Sequence, residues 1–238
     1  MPKQAEVTYL FNSGFVVELK DKILIFDYYK DKKNQVPEIL NKGKKTYMFS
    51  SHSHYDHFDQ EIFSFQDQVE HYFLSFDIKK VLKKNLIEKD KVTFLNAYDV
   101  YSDEQIKVTS FSSTDEGVSF LIELDGWKVF HAGDFNWWHW KGDTEENIKF
   151  AKNGFMKQMK KLDGLKADIA FFPVDCRMEE FCAMGAKEFC QRTEIQNLIT
   201  MHNTQHKPWI VPQDFLPKDK MVSIWVPEGP GENIKIIK

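Results

Sequence analysis

The sequence predicts an α/β (α+β) fold in which two β-sheets pack face to face with helices on the outside. Strand-like runs fall in two series, each followed by helical periodicity, which suits layered sheets covered by helices. The apolar rhythm persists from about residue 7 to residue 202 without a repeat, low-complexity run or Pro/Gly/Ser linker, so the 238 residues are expected to form a single domain, 1–238. Hydrophobic residues make up 42% of the chain and aromatic residues 15%, enough for a sizeable core and far from the composition of disordered segments.

The elements follow in order. "EVTYLF", "GFVVELK" and "KILIFDYY" are rich in β-branched and aromatic residues and are broken by "NSG" and "KDK", which predicts an opening antiparallel meander. "KTYMFSS", residues 45–51, is a further strand that runs into "HSHYDH". "DQEIFSF" predicts a short helix; "EHYFLS", "KVTFL", "QIKVTSF", "GVSFLIEL" and "WKVFHAG" predict strands, with a helix over "DIKKVLKKN". The "DG" at 125–126 between the last two strands is a hairpin signal. Asp143 followed by Glu146 predicts a helix start, and Ile148, Ala151, Phe155, Met159 and Leu162 recur at the spacing of one buried helical face. "ADIAFFPVD" then predicts a short buried strand, "AMGAKEFCQR" a helix and "NLITMHN" a final core strand. The tail from about Lys207, with Pro208, Pro212, Pro217, Pro227 and Pro230, is expected to be irregular with one edge strand.

Thirty-two basic residues against 36 acidic ones give a net charge of −4, which supplies no field to gather nucleic acid or an anionic membrane. The expected partner is a small-molecule substrate, with no nucleic acid and no membrane; no feature sets the oligomeric state. No segment has the apolar length of a signal peptide or a membrane span, so a cytoplasmic location is expected. Cys176, Cys182 and Cys190 form neither a CxxC pair nor an even-numbered framework, and reduced, buried thiols are expected.

The chemistry concentrates in "FSSHSHYDHFD", residues 49–59, which holds three of the eight histidines and two aspartates. If the strand continues through His52, the side chains of His52, His54 and Asp56 project to one side, because extended chain alternates faces with period two. His57 faces otherwise, and the turn into the next helix swings it toward a second metal. A hydrogen-bonded core histidine is the expectation for His71, but that reading fails for the cluster, since burying several ionisable groups without a cation is costly. Two imidazoles and a carboxylate suit one or two Zn²⁺, with Fe or Mn as alternatives, whereas Mg²⁺ and Ca²⁺ prefer all-oxygen shells.

These residues carry a resemblance. "HSHYDH" is similar to the HxHxDH signature of the metallo-β-lactamase superfamily, and "FHAGD" resembles the later motif whose aspartate bridges two metals. "ILIFD", ending in Asp27, resembles the first motif, an aspartate at a strand end that supports the histidine loop; "LITMHN" resembles the last, with His202 at a strand terminus. "FFPVDCRMEEFCAMGAKEF" further resembles the small cytoplasmic branch that includes ascorbate-6-phosphate lactonase-like proteins. The resemblance implies the metallo-β-lactamase fold, a four-layer αββα sandwich with metals in a groove at the sheet edges. It also implies that His52 and His54 hold a first metal, that Asp56, His57 and His202 hold a second, and that Asp134 bridges them. Where relatives place a further histidine this chain has "FSSTDEGVSF"; the best-matching position is Ser113, with Asp115 as another candidate. Three protein ligands and a water still make a workable catalytic shell, one that binds metal less tightly than three histidines and the aspartate.

The reading that follows is a metal-dependent hydrolase acting on an ester, lactone, amide or phosphoester of a small molecule. Water that loses its proton near neutral pH is the nucleophile, and Asp56 is the catalytic residue that orients it and accepts the proton. The alternatives are a metal-binding sensor or non-hydrolytic scaffold with a depleted first site, and a di-iron oxidoreductase. "FNWWHWKGD" puts Trp137, Trp138, His139 and Trp140 directly after Asp134, either as aromatic walls for a substrate ring or as a cap on the core. His139 is a candidate for ligation, proton shuttling, anion binding or packing. Asp175, at the end of "FFPVD", is expected to face the groove, and His206 is expected to be either a support for the ligands or solvated.

Overall fold

Strands of alternating or continuous apolar character dominate this chain, and a computed structural model shows where they pair, describing residues 2–83, 87–202 and 208–238. The chain divides into two compact units, Met1–Leu95 with Glu228–Lys238, and Asn96–Pro227. Each unit holds one seven-stranded mixed sheet.

In the first unit, β1 (Gln4–Phe11), β2 (Gly14–Glu18) and β3 (Lys22–Phe26) form the antiparallel meander that their alternation predicts. β4 (Lys45–Ser50), β5 (His71–Ser75) and β6 (Val92–Leu95) then add in parallel beyond β3. A short helix, α1 (Gln35–Leu40), lies between β3 and β4 and buries Val36, Ile39 and Leu40. These join Leu10, Val16, Ile23, Ile25, Met48 and Tyr72 in one apolar cluster. The two helices expected between β4 and β6 are 3₁₀ turns instead, Gln60–Phe65 and Phe76–Lys80. Segments of five or six residues cannot recover the cost of nucleating an α-helix, and the tighter turn is the usual outcome. The end of the second expected helix, residues 84–85, lies outside the described residues.

In the second unit, β7 (Val100–Ser102), β8 (Lys107–Ser112), β9 (Val118–Leu124) and β10 (Trp127–His131) run antiparallel. The β9–β10 hairpin turns through Asp125 and Gly126 at φ 50° and 77°, both left-handed, as a two-residue turn of matching twist requires. β11 (Lys166–Pro173) and β12 (Glu194–Met201) add in parallel to β10. α2 (Glu145–Leu162) and α3 (Met184–Arg192) precede these two strands in turn. The cap of α2 is Thr144, not Asp143: its hydroxyl accepts from Asn147 N at 3.2 Å, while Asp143 Oδ1 takes Asn147 Nδ2 at 2.7 Å. Phe155, Met159 and Leu162 form the buried face of α2, with Ile148 and Ala151 half-buried at its start.

The proline-rich tail forms two edge strands rather than one. β13 (Ser223–Trp225) adds in parallel to β12, and β14 (Asn233–Ile237) pairs antiparallel with β1. Both sheets therefore switch from antiparallel to parallel pairing at an interior strand, β3 in the first and β10 in the second. Side chains just past the carboxyl ends of neighbouring parallel strands gather at one edge, the place where mixed sheets present ligands. Among the described residues, no helix is long and apolar enough to cross a membrane.

Candidate functional site

In the first unit, β3 and β4 are in register at Phe26 and Phe49, so the chain leaves both at the same edge. Asp27, one residue past β3, adopts φ 42°, a left-handed conformation that costs a non-glycine residue on the order of 1 kcal/mol or more. Its carboxylate is buried and takes three hydrogen bonds: Oδ1 accepts from Ser51 N at 2.7 Å, and Oδ2 accepts from Ser51 Oγ and His57 Nδ1, each at 2.7 Å. The Ser51 hydroxyl gives its one proton to Asp27, so toward His52 Nδ1, 3.0 Å away, it acts as acceptor. Asp27 thus fixes His57 directly and His52 through Ser51, both with the proton on Nδ1 and the lone pair on Nε2. Metal-binding imidazoles are commonly held in this way.

The loop itself is not extended. The strand stops at Ser50, and His54 O accepts from both His57 N and Phe58 N at 3.0 Å, a single helical turn. Period-two alternation therefore does not bring the ligands together; the turn does. The His57 ring lies 4.1 Å from that of His52, and His52 Nε2 faces His54 Nδ1 at 3.0 Å. Two nitrogens bound to one tetrahedral zinc are about 3.3 Å apart, so the pair needs to open only slightly to admit a cation. Asp56 Oδ2 is 3.9 Å from His57 Nε2 and accepts from Asn12 Nδ2 at 3.1 Å. Buried Asp77, two residues past β5, accepts from Ser53 N at 2.7 Å and pins the middle of the loop.

In the second unit, β10, β11 and β12 deliver Asp134, Asp175 and His202 in the same manner. His202 has φ 65°, and its ring lies between two carboxylates: Nδ1 is 3.0 Å from Asp175 Oδ2, and Nε2 is 3.5 Å from Asp134 Oδ2. Burial opposes a charge on His202, but Asp134 and Asp175 outweigh it and raise the imidazole from 6.5 to about 10. Burial likewise disfavours a charged Asp175, yet His202 and Arg177 hold its carboxyl well below the usual carboxylate range. A cation bound at Asp134 would replace the charge that the imidazolium proton supplies in the metal-free chain.

Ser113 is buried, and its hydroxyl accepts from Asp115 N at 3.2 Å, bracing the 113–115 turn. Thr114 Oγ1 ties that turn to the loop after Asp134, accepting from Asn136 N at 2.9 Å and donating to Asn136 O at 2.7 Å. The exposed Asp115 has a carboxylate oxygen within 4.8 Å of one on Asp134.

The tryptophans of the 137–140 loop make different contacts. Trp137 stacks on Phe155 of α2 at 5.8 Å and caps the core. Trp138 lies edge-on to His202 at 5.4 Å, donates Nε1–H to Asp134 O at 3.1 Å, and stacks on Trp140, over which the Arg177 guanidinium sits. His139 lies against Phe181 at 4.0 Å. His71 bonds Thr93 Oγ1 at 2.8 Å as a core histidine would. No disulfide joins the three cysteines; Cys182 and Cys190 are buried, Cys176 is half-buried, and burial pushes the Cys190 thiol up to about 12. His206 lies outside the described residues.

Asn12, Ser51 and Asp77 are the supporting residues that the sequence reading misses. A signal for Asp77 exists: "FLSFD" repeats the pattern of "ILIFD" and "FFPVD", an aspartate just past the end of an apolar strand.

No protein-family model matches the chain, and no curated protein sequence does. Solved structures do. The metallo hydrolase Igni18 of the hyperthermophilic archaeon Ignicoccus hospitalis matches with a TM-score of 0.66 at 18% identity, covering 98% of each chain. The metallo-β-lactamase fold protein YhfI of Bacillus subtilis matches at 0.59 and 13% identity, covering 98% of this chain and 99% of its own. The diiron β-hydroxylase CmlA of Streptomyces venezuelae matches at 0.55 and 10% identity, over 85% of this chain and 45% of CmlA. At such identities the likeness establishes the fold, and this chain has the α/β metallo-β-lactamase fold.

Proposed function

We propose that this chain is a metal-dependent hydrolase of the metallo-β-lactamase superfamily, acting on an ester, lactone, amide or phosphoester of a small molecule. The observation that carries the proposal is the state of three imidazoles. His52, His57 and His202 have Nδ1 engaged by Ser51, Asp27 and Asp175 respectively, at 3.0, 2.7 and 3.0 Å, which leaves each Nε2 as the ligand atom. In this reading His52 and His54 hold one ion, Asp56, His57 and His202 hold another, Asp134 is shared, and Asp115 completes the first set.

A bound divalent ion, Zn²⁺ or alternatively Fe or Mn, supplies the Lewis acidity that brings a water's pKa from about 16 toward about 7. The chain's own residues do the rest. Asp56 is anchored through Oδ2 by Asn12, which leaves its other oxygen to orient the attacking water and accept its proton. Asp27 and Asp175 keep the ligand imidazoles in one tautomer, and Trp138 shields His202 from solvent on one side.

One observation favours a second reading, a metal-binding scaffold without hydrolytic activity. At the position where a histidine is expected, Ser113 presents a neutral hydroxyl that also accepts from Asp115 N at 3.2 Å, a weaker ligand than an imidazole. Elemental analysis of wild type and His54→Ala purified without added metal, together with an ester, lactone and phosphoester screen, tests both. The hydrolase reading expects bound metal, its loss in the variant and turnover of at least one substrate class. Wild-type metal content in the variant would remove His54 from the ligand set, and stoichiometric metal without turnover would favour the scaffold.

A further inference from the structure

Three strand-end loops of the first unit build a surface that no ligand role uses. Tyr55, between His54 and Asp56, is 80% exposed. Its ring meets Tyr29 edge-on at 6.3 Å and 84°, and Tyr29 meets Phe11 at 5.9 Å. Lys32 Nζ sits 3.8 Å from the centre of the Phe11 ring, and Lys30 Nζ lies 5.7 Å from that of Tyr29. Among the described residues, neither ammonium has a carboxylate within ion-pair distance. The acid between them, Asp31, accepts at Oδ2 from Val36 N at 2.7 Å, at the start of α1.

Contacts link these groups to Asp56. Asn12, next to Phe11, bonds Asp56 Oδ2 at 3.1 Å. Tyr55 adjoins Asp56 in the chain, Tyr29 meets both Tyr55 and Phe11, and the two ammonium groups lie against the Tyr29 and Phe11 rings. A single exposed tyrosine is ordinary. An exposed ring beside a candidate proton acceptor, with two lysines lying over ring faces and without an ion pair among the described residues, is not. An exposed cation–π contact is worth about 0.5–1 kcal/mol, weak enough for the lysines to turn to a bound anion.

We propose that this shelf is a substrate subsite for a planar ring bearing an anionic group on the side away from the scissile bond, a proposal that rests on the hydrolase reading of Asp56. The ring stacks on Tyr55, and the carboxylate or phosphate meets Lys30 and Lys32. Two lysines on a chain of net charge −4 are too few for a nucleic-acid backbone, which needs a longer basic track.

The test is calorimetric titration of the zinc-loaded full-length chain with three non-hydrolysable probes: methylphosphonate, phenylphosphonate and 4-carboxyphenylphosphonate. Wild type is expected to bind the second about tenfold more tightly than the first, as ring stacking contributes, and the third several-fold more tightly again. Tyr55→Ala should abolish the first step and Tyr55→Phe should keep it; the Lys30→Gln/Lys32→Gln double variant should abolish only the second. Three probes of equal affinity, or ratios unchanged in the variants, would overturn the subsite while leaving the hydrolase reading intact. Failure of methylphosphonate to bind, with Tyr55- and lysine-dependent binding of the carboxyphenyl probe retained, would count against the hydrolase reading and support the subsite. Lysine-dependent binding of a single-stranded oligoribonucleotide alongside equal probe affinities would reassign the surface to nucleic acid and overturn the proposal.

Discussion

Zinc binding to the metal-free protein at pH 8 is expected to release close to one proton from His202. The imidazole is raised from 6.5 to about 10 by carboxylates 3.0 and 3.5 Å away, so at pH 8 His202 is predominantly protonated. A nitrogen that ligates a metal must give up its proton, and that cost enters the binding free energy. At pH 7 it is three pH units at about 1.4 kcal/mol each, roughly 4 kcal/mol, or a thousandfold in affinity. Apparent zinc affinity therefore rises about tenfold per pH unit from this group until pH approaches 10. Titration calorimetry at pH 8 in phosphate, HEPES and Tris, whose ionisation enthalpies differ, reads the proton count as the slope of observed enthalpy. His202→Ala should lower that count by about one. Equal counts in wild type and variant would refute the reasoning, because His202 would then either be neutral in the free protein or not be a ligand.

Further expectations concern stability. Asp27→Ala leaves Ser51 N and His57 Nδ1 buried without their acceptor and should cost about 3–5 kcal/mol in urea unfolding; a loss under 1 kcal/mol would contradict the network. Gly185→Ala would set a Cβ 2.0 Å from Asn136 Oδ1 and 2.9 Å from Trp137 N, and a drop of about 1–3 kcal/mol is expected, with an unchanged unfolding midpoint as the contrary result. Because His202 is raised when folded, its contribution to metal-free stability is complete below about pH 6.5 and is lost as pH rises toward about 10. Asp175 is depressed, so its contribution is present above about pH 4 and disappears in acid. Urea midpoints across pH 3 to 10 should thus fall at both ends, and Asp175→Asn should flatten both limbs.

The strands were legible because alternation along "EVTYLF" or "GVSFLIEL" is a local pattern, and α2 because three turns of it repeat one buried face. α1 was not, since six residues with Pro37 inside are too few for a periodic signal and its start depends on Asp31 reaching Val36 N. The histidine loop was readable in its residue types and not in its path. His52, His54, Asp56 and His57 stand out by composition, whereas the turn that gathers them is held by His54 O accepting twice. The supports were the least visible. Ser51, Asp77 and Asn12 act on partners 24, 24 and 44 residues away in the chain, and a serine or asparagine in a turn looks ordinary until its partner is known.

The pairing of β14 with β1 has a consequence for biosynthesis. Gln4 faces Ile237, so the outer edge of β1 waits for a segment translated more than two hundred residues later. At about 5–20 residues per second, that is on the order of ten to fifty seconds with one row of amides and carbonyls open to any passing strand. Residues 96–227, a continuous stretch, can finish all of their own ladder before the earlier-made half closes. The half that emerges first from the ribosome is therefore the last to mature, and a chaperone that shields that exposed rim would act during this interval.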